Sequence, residues 1–218
     1  MIFSATDMSL FPIFLKLEGR SCLVVGGGTV AQAKIEGLIE AGAVVHVVAP
    51  RATEAIEQLA TGGRVRWSRC AFEPSDLDGA FLVVVATSLR ELNERVFQQA
   101  QRRGILCNVV DDPPHCDFYY PSVVRRGDLQ IAISTAGHIP ALSQRLRKEL
   151  EQQFASEYAR WVPRLGRTRR GLFRRAMDAN LRRGLLHRLA SAERFEVFLQ
   201  RSHAREEREM GVGITHER

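Results

Sequence analysis

The run Ser21-Cys22-Leu23-Val24-Val25-Gly26-Gly27-Gly28-Thr29-Val30-Ala31 constrains this chain more than any other segment. A short apolar stretch of strand character passes directly into three glycines, and these pass into a stretch with helical periodicity. The glycines read G-x-G-x-x-A, and between a strand and a helix that pattern serves a dinucleotide pyrophosphate. Gly26 permits the tight turn, Gly28 lets the backbone come close to phosphates, and Ala31 keeps the helix near the sheet. The free amides and dipole at the helix N-terminus attract the negative charge. A glycine turn that joins strand to helix without any ligand is the competing reading.

What surrounds the motif agrees with it. Apolar runs at Ser21–Val25, Val44–Ala49, Val65–Ser68, Phe81–Ala86 and Ile105–Val110 alternate with amphipathic stretches, the pattern of βαβ units in a mostly parallel sheet. Thr29–Ala41 places Val30, Lys34, Leu38 and Ala41 along one side with Ile35 and Ile39 flanking, and it stops at Gly42. Glu91–Arg103 behaves alike and stops at Gly104. Beyond Asp111 the character changes. Phe118–Val124 and Leu129–Ser134 flank Arg125-Arg126-Gly127-Asp128 and read as an antiparallel pair. Pro140 suits the first turn of a helix in which Leu142, Leu146, Leu150 and Phe154 recur every four residues. From about Ser156 the chain reads as helical and arginine-rich, and beyond about Arg205, with Gly211 and Gly213, as a frayed tail. The expected class is α/β: a Rossmann-like parallel-sheet domain over 1–114, a small α+β dimerisation and active-site region over 115–150, and a helical, Arg-rich region over 151–218.

Two positions at strand ends bear on chemistry. The second strand leads into Ala49-Pro50-Arg51, where an acid that holds the adenosine ribose is usual about 20 residues after the glycines. That acid is missing. Arg51 suits the 2′-phosphate of NADP or is an ordinary solvated arginine. The fifth strand leads into Asn108-Val109-Val110-Asp111-Asp112-Pro113, at the carboxyl edge where open α/β sheets bind ligands. A carboxylate at Asp111 can exchange the proton that accompanies hydride removal; equally, it can cap the turn before Pro113.

Composition excludes several classes. Apolar residues make up 45% and charged residues 26%, ordinary globular values. The longest apolar runs fall far short of the ~18 residues that span a bilayer, so no membrane is expected. The start, MIFSATDMSLFPIF, lacks a basic leader and a cleavage site, which implies the cytoplasm. Cys22, Cys70, Cys107 and Cys116 form no C-x-x-C pair and read as reduced structural thiols, with no metal site. The net charge of +6 concentrates in Arg160–Arg194, where Asp178 and Glu193 are the only acids. Such a field suits nucleic acid, a polycarboxylate or a phosphate, or belongs to a solvated helix face.

Phe11-Pro12-Ile13-Phe14, Val24-Val25-Gly26-Gly27-Gly28, Cys107-Asn108-Val109-Val110-Asp111, Cys116-Asp117-Phe118, Ser134-Thr135-Ala136-Gly137 and Pro140-Ala141-Leu142, in this order and spacing, resemble the dehydrogenase/chelatase module of siroheme synthases and its free-standing relatives. The resemblance covers roughly residues 8 to 155. It implies an oxidoreductase that uses NAD to dehydrogenate precorrin-2 to sirohydrochlorin. In some members insertion of ferrous ion follows, a lyase activity that yields siroheme. It implies a homodimer with a tetrapyrrole substrate whose carboxylates account for the basic surface, and no nucleic acid. Gly26, Gly28, Thr29, Val30, Pro50 and Arg51 fall on the family's cofactor-binding positions, Asp111 on its essential aspartate, and Ser134 and Thr135 on a hydroxyl-bearing segment beside the substrate. His138 departs from the family pattern, which has a small polar residue or lysine there; it is read as touching substrate or as a solvated loop residue. His115 carries the same ambiguity. The rival from another class is a non-catalytic nucleotide-sensing Rossmann module, which needs the glycine turn but neither Asp111 nor Ser134-Thr135. An NADP reductase is a third reading.

Overall fold

The structure, a computed structural model, describes the backbone of residues 10–212 and the side chains through Ala204. The chain divides into two compact units between Tyr120 and Pro121.

In the first unit, β1 (Ser21–Val25), β2 (Val44–Val48), β3 (Arg66–Ser68), β4 (Leu82–Val85) and β5 (Leu106–Val109) form one parallel sheet in the order β3-β2-β1-β4-β5. The helices α1 (Thr29–Glu40), α2 (Glu54–Thr61) and α3 (Arg90–Arg102) make the crossovers. The central strands β1 and β4 are almost wholly apolar because both faces of the sheet are covered there. Cys22, Val24, Val45, Val47 and Val84 pack with Ala31, Ile35 and Ile56 on the face of α1 and α2. Leu23, Val25, Val83 and Val85 pack with Val96 and Ala100 of α3 on the other. The expected α/β Rossmann-like class is therefore observed. The runs expected for β2 to β5 extend one residue or so past the paired segments, because the sheet stops where its ladder stops.

The buried side of α1 differs from the expected one. Ala31, Ile35 and Leu38 face the sheet, whereas Val30 is 48% exposed. Val30-Lys34-Leu38 at i, i+4, i+8 and Ala31-Ile35-Leu38 at i, i+4, i+7 both fit a helical period; the sheet selects the stripe that starts at Ala31, whose small side chain admits the close approach.

The second unit opens with the hairpin β6 (Ser122–Arg126) and β7 (Leu129–Ile133), in which Arg126 pairs with Leu129. The connection is thus the two residues Gly127-Asp128, shorter than the four-residue turn expected, and Gly127 takes the positive φ of +58° that such a loop requires at its first position. The expected strand start at Phe118 is also corrected. Phe118 packs against the core of the first unit, and its carbonyl accepts a 2.7 Å hydrogen bond from Asn108 Nδ2, so this stretch stays beside β5 and joins no ladder. Among the described residues four helices follow: α4 (Pro140–Gln153), α5 (Tyr158–Phe173), α6 (Ala179–Leu189) and α7 (Ala192–Val212). Arg126 caps the carboxyl end of α4, donating to the carbonyls of Phe154 and Glu151 at 2.8 and 2.9 Å. Tyr158, Trp161 and Phe195 cluster where α5 meets α7, with ring centroids 4.2 to 5.8 Å apart. The fraying expected from Arg205 is not what the backbone does: α7 continues to Val212, through a run of Arg, Glu and Met with high helix propensity. Gly213 lies outside the described residues, as do the first nine residues of the start, on which the reading of no leader rests. Among the described residues, no helix is long and apolar enough to cross a membrane.

Candidate functional site

A cavity of about 820 Å³ opens at the carboxyl edge of the sheet, a volume in the ~300–1,000 Å³ range of small-molecule and cofactor sites. It lies where the strand order reverses between β1 and β4, the crevice such sheets offer to ligands. Gly26, Gly28, Thr29, Val30, Pro50, Arg51 and Asp111 all line it. Seven residues read from sequence, scattered over 86 positions of chain, thus stand around one space.

The glycines differ in what they do. Gly26 has φ +123°, and a Cβ there would stand 2.3 Å from the Ala86 carbonyl oxygen; its N–H donates to the Val48 carbonyl at 3.0 Å. Gly26 therefore lets the turn pass between the ends of β2 and β4. A Cβ on Gly27 would stand 2.1 Å from the Arg51 carbonyl oxygen, so this residue, absent from the sequence-derived site, is needed to let the chain after β2 cross the turn. Gly28 meets nothing within 4 Å. It is the N-cap of α1 and supplies no side-chain cap, and the first turn holds no acid. The amides of Thr29 and Val30 are thus left for an anion. An uncapped helix start facing an open cavity suits the pyrophosphate of a dinucleotide.

Phe72, Thr87, Ser88, Leu89 and Leu92 also line the cavity and were missed by the sequence reading. Thr87 is fixed by a 2.5 Å hydrogen bond to Asn93 Oδ1, and Leu89 is 63% exposed. A signal existed for Thr87 and Ser88: they follow β4, the strand across the switch point from the glycine turn.

The two adjacent aspartates have separate fates. Asp112 accepts a 2.8 Å contact from His115 Nδ1, and the His115 ring packs edge-on against Phe97 at 4.7 Å. Asp111, at φ +62°, has no hydrogen-bond or ion-pair partner among the described residues, and it faces the cavity. Its charge is felt by Lys34, one turn along α1 from Val30. Burial pulls the Lys34 ammonium down from its ordinary range, and Asp111 pushes it back up. The ammonium sits 3.8 Å from the centroid of the Tyr120 ring. His115 is thus a partner of Asp112.

Ser134, Thr135 and His138 belong to the second unit, between β7 and α4. Ser134 Oγ accepts from the Ala136 N–H at 3.1 Å and Thr135 Oγ1 from the Ile139 N–H at 3.3 Å. The His138 N–H donates to the Thr135 carbonyl at 2.9 Å, and its side chain is exposed. The hydroxyls hold a turn in which Ala136 and Gly137 take φ +50° and +83°. Among the described residues, no group of three or more His, Cys, Asp or Glu could hold a metal ion.

The family model described as putative NAD(P)-binding matches residues 13–122, and that of the sirohaem biosynthesis protein central region matches residues 126–153. The chain is similar to a siroheme synthase of Photorhabdus laumondii, 41% identical over 176 residues that make up 81% of this chain and 37% of that one. It is similar to siroheme synthase 1 of Aeromonas salmonicida, 39% identical over 89% of this chain and 42% of that one, and to siroheme synthase 1 of Yersinia enterocolitica, 45% identical over 74% and 34%. The chain thus spans between 34% and 42% of the length of these curated relatives. Among solved structures, SirC, a precorrin-2 dehydrogenase, superposes with a TM-score of 0.74 at 29% identity, over 90% of this chain and 98% of that one. The resemblance read from the residues and the expected fold class are both borne out.

Proposed function

We propose, from the premise that this chain belongs to the putative NAD(P)-binding family matched over residues 13–122, that it oxidises precorrin-2 to sirohydrochlorin with NAD in siroheme biosynthesis. The observation that carries this reading is the carboxylate of Asp111, without a hydrogen-bond or ion-pair partner among the described residues, on the same cavity as the uncapped start of α1. The likeness to SirC and to siroheme synthases supports the substrate.

Bound NAD supplies the acceptor for the hydride that leaves precorrin-2. The amides of Thr29 and Val30 would hold the pyrophosphate, Gly28 would admit it, and Pro50 and Arg51 would help hold the rest of the dinucleotide. Oxidation removes two hydrogens from the tetrapyrrole; one leaves as hydride, and Asp111 takes the other as a proton on a carboxylate oxygen. Ser134, Thr135 and His138 contact the tetrapyrrole. If ferrous ion is a second substrate, as in some members of the family, Asp111 would accept the two displaced pyrrole protons one at a time, passing each to solvent. The working form is a cytoplasmic homodimer.

The test is an anaerobic absorbance assay with precorrin-2 and NAD or NADP, followed by addition of ferrous ion. Sirohydrochlorin is expected with NAD. Asp111→Asn is expected to lower turnover at least ~100-fold, the order supplied by a positioned proton acceptor, while NAD binding stays within twofold. Binding without turnover by the unaltered protein would favour the nucleotide-sensing module instead.

A further inference from the structure

We propose that Cys116 is a positioning residue for Asp111, its thiol bracketing the backbone that presents the carboxylate to the cavity. The inference rests on the reading of Asp111 as the proton acceptor.

Asp111 holds φ +62°, a backbone conformation that residues with a side chain keep only where the surroundings over-determine it. The ladder accounts for one side of that constraint. Val110 donates its N–H to the Val85 carbonyl at 2.9 Å, and Asp112 donates back to the Val109 carbonyl at 3.2 Å. The other side comes from Cys116. Its Sγ lies 3.1 Å from the Val109 carbonyl oxygen and 3.3 Å from that of Asp112, so one thiol proton is shared between the two carbonyls that flank Val110-Asp111. The sulfur is itself held: Asn108 Nδ2 donates to it at 3.3 Å and to the Phe118 carbonyl at 2.7 Å. Cys116 also pairs with Asn108 through an antiparallel bridge. Asn108 is buried and stands on β5, so the clamp is anchored in the sheet.

The arrangement requires that sulfur keep its proton, since a thiolate accepts and cannot donate. Burial, the largest influence, pushes the Cys116 thiol up and the charges of Asp112 and Asp117 add to it, against a smaller opposing pull from the Val109 backbone. The net direction is up, which keeps a donor in place at neutral pH and removes the thiolate that redox or nucleophilic chemistry would need.

Without the thiol, the carbonyls of Val109 and Asp112 lose a shared donor and the segment is free to leave the left-handed region. Asp111 then moves by a fraction of an ångström to an ångström, and a misplacement of that size costs up to about a hundredfold in rate. The glycine turn and α1 are untouched, so cofactor binding should not follow.

The experiment compares wild type, Cys116→Ala and Cys116→Ser for anaerobic precorrin-2 turnover with NAD, alongside the NAD Kd and thermal midpoint. Cys116→Ala is expected to lower kcat at least tenfold with KM and the NAD Kd within twofold, and Cys116→Ser, which restores a donor, to return within threefold of wild type. In an Asp111→Asn background, Cys116→Ala should change the residual rate less than twofold, a coupling that a merely structural role does not produce. A kcat within twofold for Cys116→Ala, a serine variant as slow as alanine, or an equal loss in the Asp111→Asn background overturns the inference while leaving the dehydrogenase reading intact. An alanine variant that does not fold is replaced by Cys116→Val, under the same outcomes. Absence of turnover by wild type overturns both.

Discussion

Replacing Gly28 by Ala, with Gly26→Ala as its companion, separates cofactor binding from folding. At Gly28 the backbone has φ −82° and an added Cβ meets nothing within 4 Å. Alanine is a poorer N-cap than glycine, which costs a few tenths to about 1 kcal/mol, and it lowers the entropy of the unfolded chain by about 0.4–1 kcal/mol. The two nearly cancel, so the thermal midpoint should move less than ~3 °C at the ~2–4 °C per kcal/mol typical of chains of this size. The methyl nevertheless enters the space above the uncapped amides. If the pyrophosphate lies there, NAD binding should weaken at least tenfold, about 1.4 kcal/mol. At Gly26 the same methyl meets the Ala86 carbonyl oxygen at 2.3 Å at φ +123°. Backbone strain of about 1–3 kcal/mol, plus the forced separation of β1 and β4, should lower the midpoint by roughly 6–12 °C as well as abolish binding. Isothermal titration with NAD and a thermal melt on each variant suffice. A Gly28→Ala protein that melts like wild type and binds NAD within twofold of it would refute the assignment of the pyrophosphate to this turn.

Three further outcomes follow from packing and charge. Ile35 is fully buried between α1 and the sheet, so Ile35→Ala should cost about 3 kcal/mol, read in denaturant melts; a cost under about 1 kcal/mol would contradict the packing. Burial first, then Arg66, hold the His46 imidazole below its ordinary 6.5, with Asp76 opposing, and the ring shares a 2.9 Å hydrogen bond with Ser68 Oγ. Its unfolded state binds the proton more readily, so His46 contributes stability that is lost as pH falls below 6.5; His46→Gln should flatten the stability profile on that acid side, and an unchanged profile would refute the assignment. Of the thiols, Cys70 is exposed, while burial pushes Cys22 up to about 11 and Cys107 up to about 12. A thiol reagent at pH 8 should therefore modify one cysteine rapidly in the native protein and all four in denaturant, and rapid native modification of two or more would contradict the burial.

How much of this was legible depends on whether the determining interaction is local. The parallel sheet was, because strands covered on both faces are apolar throughout and the glycine turn fixes where the first one ends. The side of α1 that is buried was not: Val30-Lys34-Leu38 and Ala31-Ile35-Leu38 satisfy the same period, and only contact with Val24 and Val84 distinguishes them. Gly27 escaped notice because its requirement comes from Arg51, 24 residues on, whose carbonyl passes where a side chain would be. Thr87 and Ser88 escaped because the signal they carry, their place directly after β4, gains meaning only through the reversal of strand order, which is set by β1 pairing with both β2 and β4. Phe118 reads as the start of a strand paired across the 125–128 turn, and the hydrogen bond from Asn108 instead holds it beside β5.

The pair Asp111-Asp112 shows where local reading stops and why. Both are carboxylates after the same strand, and residue type does not say which is free. Pro113 and Pro114 decide it. Their fixed φ starts a single 3-10 turn at Pro113–His115, in which the His115 N–H donates to the Asp112 carbonyl at 3.0 Å, and this folds the imidazole back onto the carboxylate of Asp112. Phe97 of α3 then holds the ring there. The same turn brings Cys116 beneath the carbonyls of Val109 and Asp112, and the remaining aspartate, at φ +62°, is left facing the cavity without a partner among the described residues. One consequence separates the two acids in practice. Asp112→Asn should retain most of the activity, because His115 can still hydrogen-bond to the amide oxygen, whereas Asp111→Asn should lose it; equal losses in the two variants would mean that the turn does not assign their roles.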